Sequence, residues 1–476
     1  MKHLFYIVLC LLFVSCGDFM EYKDKDKVIP ENLDYYKEFI MGELLLKSMG
    51  TTGFNLWYMS DDVGSYMPSS LSSTSKDERE YYQSFYLWAK EPQITVRGDE
   101  KIDPAWENFY HKIVVCNVIE SDLNEFADDP AKMKYRLLGE VQAIRAISYW
   151  YLVNMYGEPW RSAEQAKTAM GVPINRERSI MDKLYTRSSL AEVYQLMEED
   201  LKNALANLGK GEQVHTMFRP GKDIVRLFLS RIYLEQKRWD DVITVCDEAL
   251  KESSRKIISK AEMETYADEK KPMLNKNNNS ILFSWMQRDA NSFSSGSYGN
   301  AVYTMSDELK SLYAPEDARI ANYVITNSWY KSKIMKYDAQ FSGCYTMNYR
   351  VEEFYLNRAE AYIESGAWDK GMKDLNAIYS ERVSGGELQA DGVETARKEM
   401  RNEKRREFCF EDMRWFDIRR WGVAVEHEFQ SFGVTGMTTT YVLDTESPNY
   451  VMSLPLDIQR RNFDIEQPKR VESKTK

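Results

Sequence analysis

Two stretches of the chain set flat aromatic rings among carboxylates, amides and guanidinium groups. The first runs through Trp57, Tyr58, Asp61, Asp62, Tyr66, Arg79, Tyr81, Tyr82, Tyr86 and Trp88. The second, Trp285 to Tyr303, holds Arg288, Asp289, Asn291, Phe293, Ser294, Tyr298 and Asn300 among glycines and serines. Sugars present apolar C–H faces ringed by hydroxyls. Rings that cover those faces and polar groups that read the rim are the chemistry of saccharide capture, one case of a mostly apolar site with a few placed polar groups. The competing expectation is that Trp57, Tyr58, Trp88 and Trp285 are core residues, because large aromatics are usually at least partly buried.

Catalytic chemistry finds little footing. Beyond residue 15 the histidines are His111, His215 and His427, and none stands at metal-ligand spacing from another. The sequence has no H-E-x-x-H, no G-x-S-x-G, no G-x-x-x-x-G-K-[ST] and no G-x-G-x-x-G. Carboxylates are abundant, and a glycosidase pair is recognised by geometry rather than by spacing. The expectation is a binding protein that is not an enzyme, with no cofactor and no metal.

Cys16 offers a different chemistry, acylation. Lys2 and His3 form a short basic start, Leu4 to Val14 is apolar, and Val14-Ser15-Cys16-Gly17 supplies small residues at a cut. This reads as a bacterial lipoprotein signal, residues 1–15, removed to leave Cys16 as the first residue. The apolar run is too short for a permanent membrane span. Acyl chains on Cys16 would add roughly 0.8 kcal/mol of membrane affinity per buried methylene. Residues 16–33 then form the lipidated cysteine and a tether, in which Asp18, Glu21, Asp24 and Asp26 alternate with Lys23, Lys25 and Lys27.

The elements that must position these groups are helical. In Asp223 to Lys251, Ser230 is followed by Tyr233 and Trp239, then Val242, Cys246 and Ala249. In Glu353 to Arg382, Ala359 is followed by Tyr362 and Trp368, then Gly371, Leu375 and Ile378. A small residue with aromatics three and nine positions later is the tetratricopeptide-like helix-turn-helix pattern, in which the small residue lets two helices approach. A looser copy pairs a helix from Val141 to Gly157 with one from Leu190 to Leu208, across an insertion from Glu158 to Arg187. A fourth pair would join Tyr35 to Ser48 with Trp106 to Leu123 across the insertion 53–103. The fold expected is all-α, a helical-repeat scaffold with large irregular insertions, and such long insertions are more often binding elements than connectors.

Charge and cysteine usage narrow the class further. The chain of 476 residues carries a formal charge of -11, and dispersed basic residues argue against a nucleic-acid partner. Cys116, Cys246, Cys344 and Cys409 are far apart in sequence and are expected to be isolated buried thiols. The charge-rich segment Arg397 to Arg420 sets Glu403, Glu407 and Glu411 one turn apart beside Arg406 and Arg414, among Phe408, Phe410, Trp415 and Trp421. That spacing predicts an internal ion-pair and packing network rather than an anion-binding patch.

Four segments together resemble the SusD/RagB lipoproteins of the Bacteroidota: Glu140 to Gly157, Leu356 to Tyr362, Arg401 to Gly422 and Leu454 to Asn462. They occur in the family's order and, with the lipoprotein signal, reach from Cys16 almost to the end of the chain. The sequence departs from the family's habit at Asp412, where glycine is common after Glu411, and in the lysines that dilute the acidic run after Cys16. The resemblance implies a SusD-like N-terminal part over 34–270 and a C-terminal part over 271–476. It implies an outer-membrane, lipid-anchored, cell-surface protein that captures an oligosaccharide for a SusC-like TonB-dependent transporter. It also implies a ligand site built from the two insertions, with Asp62, Tyr66, Arg79, Trp88, Trp285, Arg288 and Tyr298 as its contacts. A peptide-binding member of the same family and a protein-binding helical adaptor are the alternatives.

Overall fold

The computed structural model describes residues 32–47, 54–67, 72–101, 103–127, 132–178, 184–285, 302–325, 333–334, 336, 347–431 and 437–476. Cys16, Arg288, Tyr298 and Cys344 lie outside them.

Apolar residues at helical spacing give α1 (Leu33–Phe39), which continues as a π-helical stretch over Ile40–Leu46. α2 (Phe54–Met59) and α3 (Ser73–Tyr86) lie within the first insertion. The scaffold follows as α4 (Ala105–Glu125), α5 (Met133–Tyr156), α6 (Leu190–Lys210), α7 (Lys222–Glu235) and α8 (Trp239–Glu252). It resumes with α9 (Glu352–Glu364), α10 (Trp368–Tyr379), α11 (Val393–Phe408) and α12 (Arg414–Trp421). Each of α4 to α10 packs on the next, and α8 lies directly against α9 although the second insertion separates them in sequence. The expected pairs α5/α6, α7/α8 and α9/α10 are all present, whereas the first helix packs on both α4 and α5.

Local chemistry explains the pairs. A capping box between Ser189 and Glu192 starts α6. In α10, a Cβ on Gly371 would stand 2.5 Å from Ile363 Cγ1 and 2.8 Å from the Ala359 carbonyl oxygen, so α9 and α10 meet at the two small residues that the repeat pattern picks out. The turns of the two repeats also match. Lys237 (φ 57°) and Gly366 (φ 91°), each seven residues after the small residue of its repeat, both take the left-handed conformation. Asn357 Nδ2 donates to Ser230 Oγ at 3.0 Å and ties one repeat to the other.

Small antiparallel sheets mark where the insertions attach. β1 (Val63–Ser65) pairs with β3 (Tyr303–Met305), and β2 (Ile281–Trp285) with β6 (Met347–Arg350). β4 (Val324–Ile325) pairs with β5 (Lys333–Ile334). β7 (Val425–Gln430), β8 (Thr438–Leu443) and β9 (Lys474–Thr475) form a three-stranded sheet. The molecule is mostly helical, and its strands are short.

The charge-rich segment is internal. Glu407, fully buried, accepts from Arg350 Nη1 at 2.7 Å, Arg382 Nε at 3.0 Å and Arg319 Nη1 at 3.1 Å. Glu403 takes a second bond from Arg319 at 2.7 Å, and Glu411 pairs with Arg350 and Lys336. Burial alone would push the Glu407 carboxyl up, but the Arg382, Arg350 and Arg319 guanidiniums overcome it and hold it well below the usual carboxylate range. Arg406 does pair along its own helix with Glu403, whereas Arg414 reaches out to Asp61. Cys116, Cys246 and Cys409 are buried free thiols.

Candidate functional site

The first insertion is organised by its aromatic residues, stacked on one another. Tyr81, 38% exposed, meets Tyr82 at 4.9 Å between ring centroids. Tyr82 stacks on Tyr58 at 3.9 Å, and Tyr58 meets Tyr303 of β3 edge-on at 5.1 Å. Tyr303 meets Tyr86 at 5.2 Å, Tyr86 stacks on His427 of β7 at 4.1 Å, and His427 stacks on Trp88 at 4.2 Å. Seven rings thus run unbroken from an exposed edge to the interior, joining the first insertion, the return of the second, and β7.

Arg79 sits at the centre of this assembly. Its Nη1 donates to Ser65 Oγ at 2.9 Å and to the Tyr66 carbonyl at 2.8 Å, and its Nη2 to the Gln430 carbonyl. Its own carbonyl accepts from Tyr303 Oη at 3.0 Å, and its guanidinium lies 4.1 Å over the Phe429 ring. Burial, with little opposing charge, lowers its pKa. The expected contacts Tyr66 and Arg79 are therefore brought together, with Arg79 fastening the backbone on which Tyr66 stands. Tyr66 is half-buried, packs over Gly64, and has its phenol pushed up to about 12, chiefly by burial.

The other expected contacts among the described residues, Asp62, Trp88 and Trp285, are buried. Asp62 is 1% exposed and accepts from Arg405 Nε at 2.9 Å, which ties the insertion to α11; burial pushes its carboxyl up despite that cation. Trp88, 1% exposed, donates from Nε1 to the Met59 carbonyl at 2.9 Å and adopts φ 50°. Trp285 is fully buried between Phe109 and Phe283, donates to the Leu44 carbonyl at 2.8 Å, and belongs to the packing of α4. With Arg79, these side chains bond to other segments of the protein. The physical reason is that an indole N–H or a guanidinium reads as a ligand group in sequence but serves equally to satisfy backbone carbonyls that an irregular insertion leaves unpaired.

Among the described residues, two solvent-open clefts stand out. One of about 250 Å³ lies against Leu87 and Trp88 and is walled by Asp444, Glu446, Asn449 and Glu472. Next to its lining residue Val471, the Arg470 guanidinium donates to the carbonyls of Asn449, Val451, Ala89 and Lys90. The second, about 290 Å³, opens on the scaffold between α4, α5 and the segment after α5, with Glu120, Asn124, Arg145, Arg176 and Arg178 around it. Arg145 is fixed there by two bonds to Asp200, at 2.6 and 2.8 Å. Sequence reasoning missed His427 and Arg470. The alternation Val425, His427, Phe429, buried at every second residue of β7, is the signal that points to the first.

Comparison with known proteins gives a consistent result. The profile of the SusD family matches residues 218–451, and a second profile, described as starch-binding associating with outer membrane, matches 21–234. The SusD-like protein P25 of Formosa agariphila is 21% identical over 291 residues, which is 59% of this chain and about half (50%) of that relative's length. A putative sugar binding protein from Bacteroides vulgatus superposes with a TM-score of 0.71 at 20% identity, covering 92% of this chain and 97% of the other. A SusD superfamily protein from Bacteroides thetaiotaomicron gives 0.69 at 19%, covering 92% and 100%. The surface glycan-binding protein A from Bacteroides fluxus gives 0.65 at 14%, covering 92% and 98%. With two SusD-type profiles that overlap at residues 218–234 and together span 21–451, this chain belongs to the SusD family.

Proposed function

We propose that the protein is a surface glycan-binding lipoprotein, anchored to the outer membrane through Cys16, that captures an oligosaccharide and delivers it to a SusC-like TonB-dependent transporter. The observation that carries this reading is the pair of matching profiles, one described by starch binding and association with the outer membrane. The signal over 1–15 and the tether over 16–33 belong to the same proposal. Among the described residues no helix is long and apolar enough to cross a membrane; a lipid on Cys16 is the attachment proposed. Binding, without catalysis, is the role assigned.

Within this reading the ligand contacts are Tyr66 and the Arg288 and Tyr298 side chains, while Asp62, Arg79, Trp88 and Trp285 hold the frame. Tyr66 stands on a backbone clamped by Arg79, and a platform that does not move loses little entropy when a sugar settles on it. One observation favours a second reading. Burial of Trp88 and Trp285 is also what a protein-binding helical adaptor would show.

The test is retention of the chain from residue 17 on a panel of plant, host and microbial polysaccharides and peptide mixtures. Retention by one glycan class, weakened in Tyr66→Ala with the melting temperature unchanged, supports the capture role. Retention by peptides alone moves the protein to the peptide-importing reading, and retention by neither, alone or with its transporter, leaves the adaptor. Radiolabelled palmitate on the parent but not on Cys16→Ser checks the anchor separately.

A further inference from the structure

Behind the Asp61–Asp62 turn, where the first insertion meets α12, lies a cavity of about 10 Å³ lined by Ser60, Asp62, Asp412, Arg414 and Trp415 among others. Two of these residues bring polar atoms that no protein group satisfies. Asp62 Oδ2 and Trp415 Nε1 are buried and make no hydrogen bond with the protein, and both residues are 1% exposed. The turn itself is firmly placed. Asp62 Oδ1 accepts from Arg405 Nε at 2.9 Å, and both oxygens of Asp61 accept from Arg414 at 2.7 Å. An unsatisfied acceptor and an unsatisfied donor on one cavity each carry the penalty of lost hydration, and native interiors rarely leave such groups alone.

The chemistry of the two groups selects the occupant. A carboxylate oxygen asks for a donor and an indole N–H asks for an acceptor, so the occupant must do both. A metal cation suits the carboxylate alone. It would be repelled by the indole N–H and by the Arg405 and Arg414 guanidiniums, which already supply the charge that Asp61 and Asp62 need. An anion would meet Asp62. The size excludes anything larger, because one water needs roughly 10–15 Å³ of such space. We propose that this cavity binds a single structural water, which accepts from Trp415 Nε1 and donates to Asp62 Oδ2.

That water joins the first insertion to the start of α12. The turn between α11 and α12 passes through Phe410 (φ 59°) and Asp412 (φ 62°), two left-handed residues other than glycine, and both line the cavity. Strained backbone persists where its surroundings over-determine it, and a bridging water is one of the bonds that would do so. The inference is independent of any ligand reading.

The deciding experiment is a crystal structure of the chain from residue 17 at a resolution that shows ordered solvent. It is paired with NMR detection of magnetisation transfer from bound water to the Trp415 indole N–H. The expected result is one light-atom peak about 2.7–3.1 Å from both Asp62 Oδ2 and Trp415 Nε1, a transfer signal in the parent, and loss or displacement of the peak in Trp415→Phe. The parent measurements alone decide the matter if that variant does not fold. A peak about 2.3–2.5 Å from the carboxylate inside a shell of oxygens, a cavity without density, or a protein group moved in to bond Asp62 Oδ2 would each overturn the proposal.

Discussion

Around Glu407, Arg319, Arg350 and Arg382 bury their guanidiniums against carboxylates. Over the insertion face, Arg470 buries its own against four backbone carbonyls contributed by two separate segments, 89–90 and 449–451. The electrostatic outcomes are opposite. Burial lowers the Arg350 pKa, but Glu411, Glu352 and Glu407 outweigh it and raise the value well above the usual one. Burial without such partners pushes Arg470 down to about 9. A side-chain network fixes charge against charge and is sensitive to the loss of any member. A guanidinium on carbonyls holds chain to chain with weaker, neutral partners.

Four changes would break or sharpen this contrast. Glu407→Ala leaves three buried guanidiniums short of charge, and should cost about 3–5 kcal/mol in urea unfolding; a loss under about 1 kcal/mol would dismiss the network as a source of stability. Its pH dependence follows from the depressed carboxyl. The stability is present above the unfolded-state pKa of about 4.3 and is lost as pH falls through the folded value, so the gap between parent and variant should close in acid.

Arg470→Met should cost less, about 1.5–3 kcal/mol, the range for hydrogen bonds to a charged group, with no acid dependence of its own. Hydrogen exchange should accelerate over 447–476 while the helices stay protected. Equal acceleration in α5 would show that the tail and the scaffold unfold as one unit.

Glu235, on α7, is a carboxylate that the scaffold leaves short. Its Oε2 has no hydrogen bond, and burial pushes its pKa up to about 7 against the pull of Arg420 and Arg419. Between about 4.3, the value in the unfolded chain, and about 7, the folded state keeps a proton that the unfolded state has released, so its contribution falls as pH rises. Glu235→Gln should match the parent at pH 4 and exceed it at pH 8 by about 1–3 kcal/mol; the reverse order would mean that the carboxylate is ionised and paired.

The smallest effect lies in the scaffold's turns. Lys237 holds with a side chain the left-handed position that Gly366 holds without one, and Lys237→Gly should stabilise by about 1 kcal/mol, seen as a rise in melting temperature. No rise would mean that the lysine side chain compensates its backbone.

The repeats were legible because their cause is local: small residues at fixed offsets from aromatics describe one helix pair, and Gly371 against Ala359 is that contact realised. The segment around Glu407 was legible as an interior element, but its partners were not. They come from 25, 57 and 88 residues away in sequence, a relation that helical spacing does not encode. Trp88 and Trp285 show the limit most plainly. Composition gives the ring and its N–H, whereas the Met59 and Leu44 carbonyls that claim them exist only after the chain has turned. Tyr66 and Arg79, thirteen residues apart in one insertion, do meet, through a bond from the Arg79 guanidinium to the Tyr66 carbonyl.

The grip of Arg470 has a consequence for descent. Carbonyl oxygens are common to every amino acid, so Ala89, Lys90 and Val451 can be exchanged without removing the acceptors on which the strap depends. A lineage can therefore rewrite the side chains of its insertion face and keep the same frame, provided that this one arginine is inherited.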